Sequence, residues 1–267
     1  MAVNHYENFP VASLLLPRKL RLPVAQIYRF ARAADDFADE GSGAPEARLA
    51  KLAAYGTRLA TIGHGATPDD PQFRDLALII RRHGLPLQLF RDLLDAFSQD
   101  VTKKRYADFG EVLDYCRRSA NPVGRLLLHL FGRATPENLA RSDSICSGLQ
   151  LANFWQDVEI DYAKGRIYLP QDEMKRFGVT EGHFAERRCD DAWRALIGFQ
   201  IDRTRALLES GAPLGRALRG RIGLEIRVTV QGGLRILEKL ARAQCDMFRH
   251  RPVLNWQDWP IMIARAL

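Results

Sequence analysis

Apolar residues recur at three- and four-residue spacing along almost the whole of this chain, and runs in which Val, Ile or Thr alternate strictly with polar residues are scarce. Such a period puts apolar side chains on one side of a helix, whereas a half-buried strand needs a period of two. The expected fold class is therefore all-α. Pro23 suits a first helical turn, and Val24, Ile27, Ala31 and Ala34 carry the pattern until Gly41, Gly43 and Pro45 stop it, so a helix is expected from about Pro23 to Glu40. Further helices are expected over Glu46 to Ile62, Asp75 to His83, Pro86 to Asp100, Phe109 to Phe131 with a disturbance at Pro122, and Pro136 to Lys164. Two or three more are expected between Arg187 and Phe248, and His64 to Pro71 reads as a loop. No internal repeat, low-complexity segment or composition break interrupts the 267 residues, so one domain over residues 1–267 is the simplest account.

Two of the expected helices carry aligned acids. At 100° per residue, Tyr28, Arg32, Asp35 and Asp39 fall within a wedge of about 60°. Val24 and Ala31 lie at the edges of that face, which draws the polar stripe toward the interior. By the same arithmetic Gln150, Asn153, Asp157 and Asp161 occupy a wedge of about 80°. Carboxylates four residues apart repel each other and weaken their helix by some tenths of a kcal/mol, so a purely structural role needs compensating cations nearby. A hard divalent cation removes the penalty. Magnesium takes about six oxygen ligands and usually shares one or two carboxylates with water and substrate phosphates. Two such stripes facing each other would grip a diphosphate through magnesium, and metal ions neutralise the charge that develops as diphosphate leaves carbon. The carbocation left behind needs a dry, aromatic cavity, because cation–π attraction stabilises it without trapping it. Tyr28, Phe30, Phe154 and Trp155 stand near the stripes. Taken alone, Asp35 to Glu40 reads more readily as a solvated helix end, the second stripe reads equally either way, and Asp36 reads as a metal ligand or a solvent-facing acid.

At these residues the chain resembles the squalene/phytoene synthase family of head-to-head prenyl synthases. The first acidic motif of that family appears as Tyr28, Arg32, Asp35, Asp36 and Asp39, and the second as Gln150, Asn153, Asp157 and Asp161, followed by the run Gly165 to Pro170 that contains Arg166. The stretches NHYENFPVASLLLP, AFSQDVTKKRY, RRSANPVGRLLLHLFG and NFWQDVEIDYAKGRIYLPQDEM read like its bacterial hydroxysqualene synthase branch, which belongs to hopanoid biosynthesis. The resemblance implies a single-domain isoprenoid synthase bundle around a central cavity. It implies Mg2+ held by Asp35, Asp36, Asp39, Asn153, Asp157 and Asp161, and catalytic roles for the four stripe aspartates Asp35, Asp39, Asp157 and Asp161 with Arg32 and Tyr115. Substrate contacts are implied for Tyr28, Arg32, Gln150, Asn153, Arg166, His5, Phe9 and Gly233. The reaction implied is loss of diphosphate from presqualene diphosphate with capture by water to give hydroxysqualene. One partner enzyme, a presqualene diphosphate synthase, would supply the substrate, and another would reduce the product to squalene.

Departures from the family pattern shape these expectations. His5-Tyr6-Glu7-Asn8-Phe9 stands where many members have a Ser/Lys-containing start that contacts diphosphate, which puts a first condensation of two farnesyl diphosphates in doubt. Tyr115 is kept, with a structural alternative as a core tyrosine, and Pro122 should bend the helix that follows it. Gly233 replaces a common aromatic residue, and the space so left is expected to admit water. No dinucleotide fingerprint is present, so no NADPH is expected, although squalene synthases of this family use it without that fingerprint.

The net charge of +7 favours anionic partners, and basic groups such as Lys103-Lys104-Arg105 and Arg249-His250-Arg251 suit either phosphorylated substrates or an ordinary solvated surface. A basic helical module binding nucleic acid or membrane is the non-enzymatic alternative, and no nucleic-acid partner is expected. The four cysteines lack metal-site or redox-pair spacing, and no signal peptide or spanning segment is visible. The expected location is cytoplasmic, with peripheral contact to the inner face of a membrane, because a C30 product must leave into lipid. A complete squalene synthase or a phytoene-type synthase working from two prenyl diphosphates is the enzymatic alternative.

Overall fold

A computed structural model describes residues 16–39 and 44–267. Among these the chain forms helices α1 (Arg18–Asp39), α2 (Pro45–Gly63), α3 (Pro71–His83), α4 (Leu87–Thr102), α5 (Phe109–Ser119), α6 (Asn121–Leu130), α7 (Pro136–Gln156), α8 (Val158–Ala163), α9 (Gln171–Phe177), α10 (Glu181–Ala185), α11 (Asp191–Gly211), α12 (Leu214–Ala217), α13 (Gly220–Arg242) and α14 (Asp258–Ala266), and no strand. The all-α expectation holds for the described residues. The helices group into two compact units. The first comprises the described residues of Met1–Thr102 with Pro122–Thr135, and the second Lys103–Asn121 with Pro136–Leu267.

In the first unit α1 starts at Arg18, five residues before the expected position, and holds Pro23 inside it. An interior proline costs about 3 kcal/mol. The earlier start buries Leu20 and continues the stripe of Val24, Ile27, Ala34 and Ala38, and each large side chain buried contributes about 1.5–3 kcal/mol. Burial of Leu20 therefore offsets much of the cost of the proline. Phe30 sits at the centre of this core, with ring centroids of Tyr55, Phe73 and Phe90 at 5.7, 6.0 and 5.3 Å. The α2 helix lies within one residue of its expected bounds and buries Leu52, Tyr55, Leu59 and Ile62, a three-and-four-residue stripe. Asp70 caps α3 by accepting from the backbone N–H groups of Gln72 and Phe73 at 2.9 and 3.3 Å, and Gly84 ends it in a left-handed turn at φ +59°.

The disturbance expected at Pro122 is a complete break between α5 and α6. Pro122 sits in the first turn of α6, where its missing N–H costs nothing. In the second unit α7 packs along α11. Gly211 permits this approach, because a Cβ there would lie 2.6 Å from the carbonyl oxygen of Arg141 and from Ile145. The buried indole of Trp155 on α7 donates to the Thr204 hydroxyl on α11 at 2.8 Å. Trp193, also buried, donates to the Cys245 carbonyl at 2.9 Å and packs its ring 4.7 Å from that of Phe248. The α14 helix docks on α13 through Asp258, which accepts from Arg235 at 2.8 Å and from Lys239. Three helices, α9, α10 and α14, lie outside the expected set.

Candidate active site

The first acidic stripe occupies the last turns of α1, in the first unit. Its apolar edge packs inward through Val24, Ile27, Ala31 and Ala34, while Tyr28, Arg32, Asp35 and Asp36 are half-buried. Arg32 pairs with Asp35 at 3.4 Å and with Asp36 at 2.7 Å, one and the same guanidinium offsetting the repulsion between neighbouring carboxylates. Asp39 is the last residue of α1, and its side chain lies outside the described residues. His5 and Phe9, expected to contact substrate, also lie outside them.

The second stripe, in the second unit, departs from the single helix expected over Pro136 to Lys164. The α7 helix ends at Gln156, Asp157 stands at φ −104° and ψ 17°, and α8 begins at Val158. Hydrogen bonding four residues back persists through this joint, from Asp157 N–H to Asn153 carbonyl at 2.9 Å and from Asp161 N–H to Asp157 carbonyl at 2.8 Å. The Asn153 amide donates to Oδ2 of Asp157 at 2.9 Å, so that stripe spacing is realised as a contact. Arg251 donates to Oδ1 of the same carboxylate at 2.5 Å. Gln150 is half-buried one turn before Asn153.

Below the joint, Asp161 and the buried Arg166 line a narrow pocket with Phe154, Trp155, Tyr168 and Phe184. Its free space is about 10 Å³, roughly the room one water occupies. The Arg166 backbone N–H donates to the Asp161 carbonyl at 2.8 Å, closing the turn after α8 at Gly165, whose φ is +76°.

Tyr115 is buried in a group of rings. Its centroid lies 5.9 Å from Tyr106, 5.8 Å from Tyr168 and 5.9 Å from Phe154, and Phe154 and Tyr168 stack at 3.7 Å and 6°. Backbone pairing brings the group together: Ile167 N–H donates to Lys104 carbonyl at 3.0 Å and Gln171 N–H to Tyr106 carbonyl at 2.9 Å. Lys103 lies 4.9 Å above the Tyr106 ring and pairs with Glu111 at 2.8 Å. The hydrogen bond from Lys103, with one from the Ala107 backbone, holds the Glu111 carboxyl below its ordinary range. Of these rings Phe154 stands on the helix that carries the second stripe, Tyr115 on α5, and Tyr106 and Tyr168 in connecting segments, so an aromatic group of the kind a carbocation calls for adjoins the stripe.

Gly233 does not front the open space expected of it. A Cβ there would come within 2.9 Å of Leu149 and 3.0 Å of Leu208, so its missing side chain is used for close approach of α13 to α7 and α11. Sequence reasoning passed over Arg251, Tyr106 and Tyr168. Tyr106 and Tyr168 sit in segments already conspicuous as motifs, whereas Arg251 read only as one of a basic group.

The donor set suits magnesium. The stripes present carboxylate and amide oxygens, the hard ligands this ion prefers, with no thiol or imidazole among them. Among the described residues no three His, Cys, Asp or Glu side chains are grouped so as to hold a metal ion by themselves, and magnesium ordinarily takes part of its shell from water and substrate phosphate.

The profile described as squalene/phytoene synthase matches residues 2–258. A hydroxysqualene synthase of Rhodopseudomonas palustris is 37% identical over 88% of this chain and 79% of its own length, and one of Zymomonas mobilis is 35% identical over 83% and 74%. The crystal structure of a squalene synthase from Alicyclobacillus acidocaldarius superposes with a TM-score of 0.83 at 38% identity, covering 90% of both chains. On the match over residues 2–258 and these relatives, this chain belongs to the squalene/phytoene synthase family of prenyl diphosphate-processing enzymes.

Proposed function

We propose that the protein is a hydroxysqualene synthase: presqualene diphosphate and water are converted to hydroxysqualene and diphosphate, in squalene and hopanoid biosynthesis. The observation that carries this reading is the Asn153–Asp157 contact, with Phe154 between the two residues packed against Tyr115 and Tyr168, so that hard oxygen donors adjoin an aromatic group. Relatives named hydroxysqualene synthase support it.

Asp35, Asp36, Asp39, Asn153, Asp157 and Asp161 would hold magnesium, which when bound supplies Lewis-acid neutralisation of the departing diphosphate. Arg32 holds Asp35 and Asp36 in register on α1, and Arg166 adds a buried positive charge beside Asp161. The buried rings beside the second stripe would keep bulk water from the cation. No reduced nicotinamide takes part, the lyase outcome needing no hydride. The expected partners are the enzymes that make presqualene diphosphate and reduce hydroxysqualene.

A second reading is a complete squalene synthase, favoured by the structural relative of that name. Incubation with magnesium and either presqualene or farnesyl diphosphate, with and without NADPH, distinguishes the two. Hydroxysqualene and diphosphate from presqualene diphosphate without NADPH is expected. Squalene formed only when NADPH is added would overturn the assignment, as would phytoene-type products from longer prenyl diphosphates.

A further inference from the structure

Nine large hydrophobic residues are exposed among the described residues, and six of them, Val253, Trp256, Trp259, Ile261, Ile263 and Leu267, fall in the last fifteen positions. The four tryptophans divide into two kinds. Trp155 and Trp193 are fully buried and hydrogen-bonded within the second unit, whereas Trp256 and Trp259 are 78% and 52% exposed. On α14 itself Asp258, Met262 and Ala266 are buried against α13, and every other side chain except Arg265 is apolar and exposed. An ordinary surface helix carries its charges on that outer face.

The segment is held rather than loose. Asp258 is gripped by Arg235 and Lys239, Lys239 also donates to the Val253 carbonyl at 2.7 Å, and Arg227 donates to the Ala266 carbonyl. Charge then selects the occupant. Four cations, Arg227, Arg235, Lys239 and Arg265, hold or flank α14 against two acids, Glu238 and Asp258, so the charge around it is net positive even though Arg265 pairs with Glu238. Arg242, Arg249 and His250 also line, with Arg194, an open cleft of about 310 Å³ at the end of α13. Two copies apposed through this face would bring like charges together, whereas an anionic lipid surface attracts them. Exposed tryptophans beside arginines are the composition that settles at the level of lipid headgroups.

We infer that the outer face of α14 with Trp256 is a membrane-docking surface, inserting Trp256, Trp259 and Ile263 into the headgroup region of an anionic bilayer. The proposed reaction, with its water-insoluble product, gives such contact a use, but the surface stands on its own residues. Binding is measured without substrate, so its failure and that of the reaction are separate results.

The test is cosedimentation of the full chain with phosphatidylcholine vesicles containing phosphatidylglycerol. Binding is expected, with the W256A/W259A variant partitioning about tenfold more weakly at unchanged thermal midpoint. Exposed Leu78 in the first unit provides the control, and Leu78→Ser should bind as the parent does. Brominated acyl chains should quench the fluorescence of the parent and spare the W256F/W259F variant, whose remaining tryptophans are buried. Absence of vesicle binding, binding indifferent to both tryptophans, or a dimer in lipid-free solution that W256A/W259A dissociates would each overturn the proposal.

Discussion

Arg251 and Asp157 lie 94 positions apart in sequence and meet at 2.5 Å, a loop guanidinium closing on the carboxylate at the joint between α7 and α8. The pair is partly buried, at 33% and 16% side-chain exposure, so its strength is on the order of 1 kcal/mol, about fivefold in a binding constant. In the proposed metal site Arg251 would compete with the divalent cation for the same oxygen. Arg251→Gln is accordingly expected to lower the magnesium concentration for half-maximal diphosphate release by up to about fivefold. Loss of turnover as deep as that of Asp157→Ala would instead assign Arg251 to the substrate.

Asp35→Asn and Asp157→Asn should each lower kcat by about a hundredfold or more, while shifting unfolding free energy by only about 1 kcal/mol, because Asp35 is partly exposed and the pair of Asp157 with Arg251 is of that order. If the two motifs serve one leaving group, the double variant should fall little below either single one. Multiplicative losses would mean that they act independently.

Tyr115→Phe retains the ring contacts with Tyr106, Phe154 and Tyr168 and should keep stability within about 1 kcal/mol, whereas Tyr115→Ala should lose roughly 3 kcal/mol in urea unfolding. Unchanged product yield in Tyr115→Phe would reduce the hydroxyl to a bystander and leave the ring as the functional part.

Gly233→Ala should destabilise the second unit by about 1–3 kcal/mol, since Leu149 and Leu208 must yield to the new methyl group. A larger aromatic residue there should hinder folding rather than redirect the product. A fully stable Gly233→Tyr protein with altered alcohol yield would restore the idea of a water-admitting space.

Burial alone would raise the Asp258 carboxyl, but hydrogen bonds from Lys239, the Asn255 backbone and Arg235 outweigh it and hold this group well below the usual carboxylate range. A depressed folded-state value contributes stability above the unfolded value near about 4 and loses it as pH falls toward the folded one. Melting curves should therefore show the parent weakening below about pH 4. Asp258→Asn should be about 3 kcal/mol less stable at neutral pH, with two cations left against one neutral amide, and flatter in acid.

The parts legible in the sequence were those written in local periodicity. The bounds of α2 followed from Pro45, the stripe Leu52, Tyr55, Leu59 and Ile62, and the glycine that ends it. The Asn153–Asp157 contact followed from four-residue spacing alone. Pro23 misled because the burial of Leu20 gained by starting α1 at Arg18 is comparable with the local cost of the proline. The seven, five and nine residues of α9, α10 and α14 contain too few turns for a period to register, although Pro170 and Gly178 bracket the first of them. Tertiary relationships left no local trace: Arg251 reaches Asp157 from a distant loop, and Leu149 and Leu208 fill the volume beside Gly233.

The interruption at Asp157 splits one row of proposed metal ligands between a long anchored rod and a six-residue appendage. Asn153 is fixed by the packing of α7, whereas Asp161 rides on the short piece and can be re-aimed by substitutions in α8 that leave the interior untouched. Laboratory evolution of altered metal preference has its most permissive handle there.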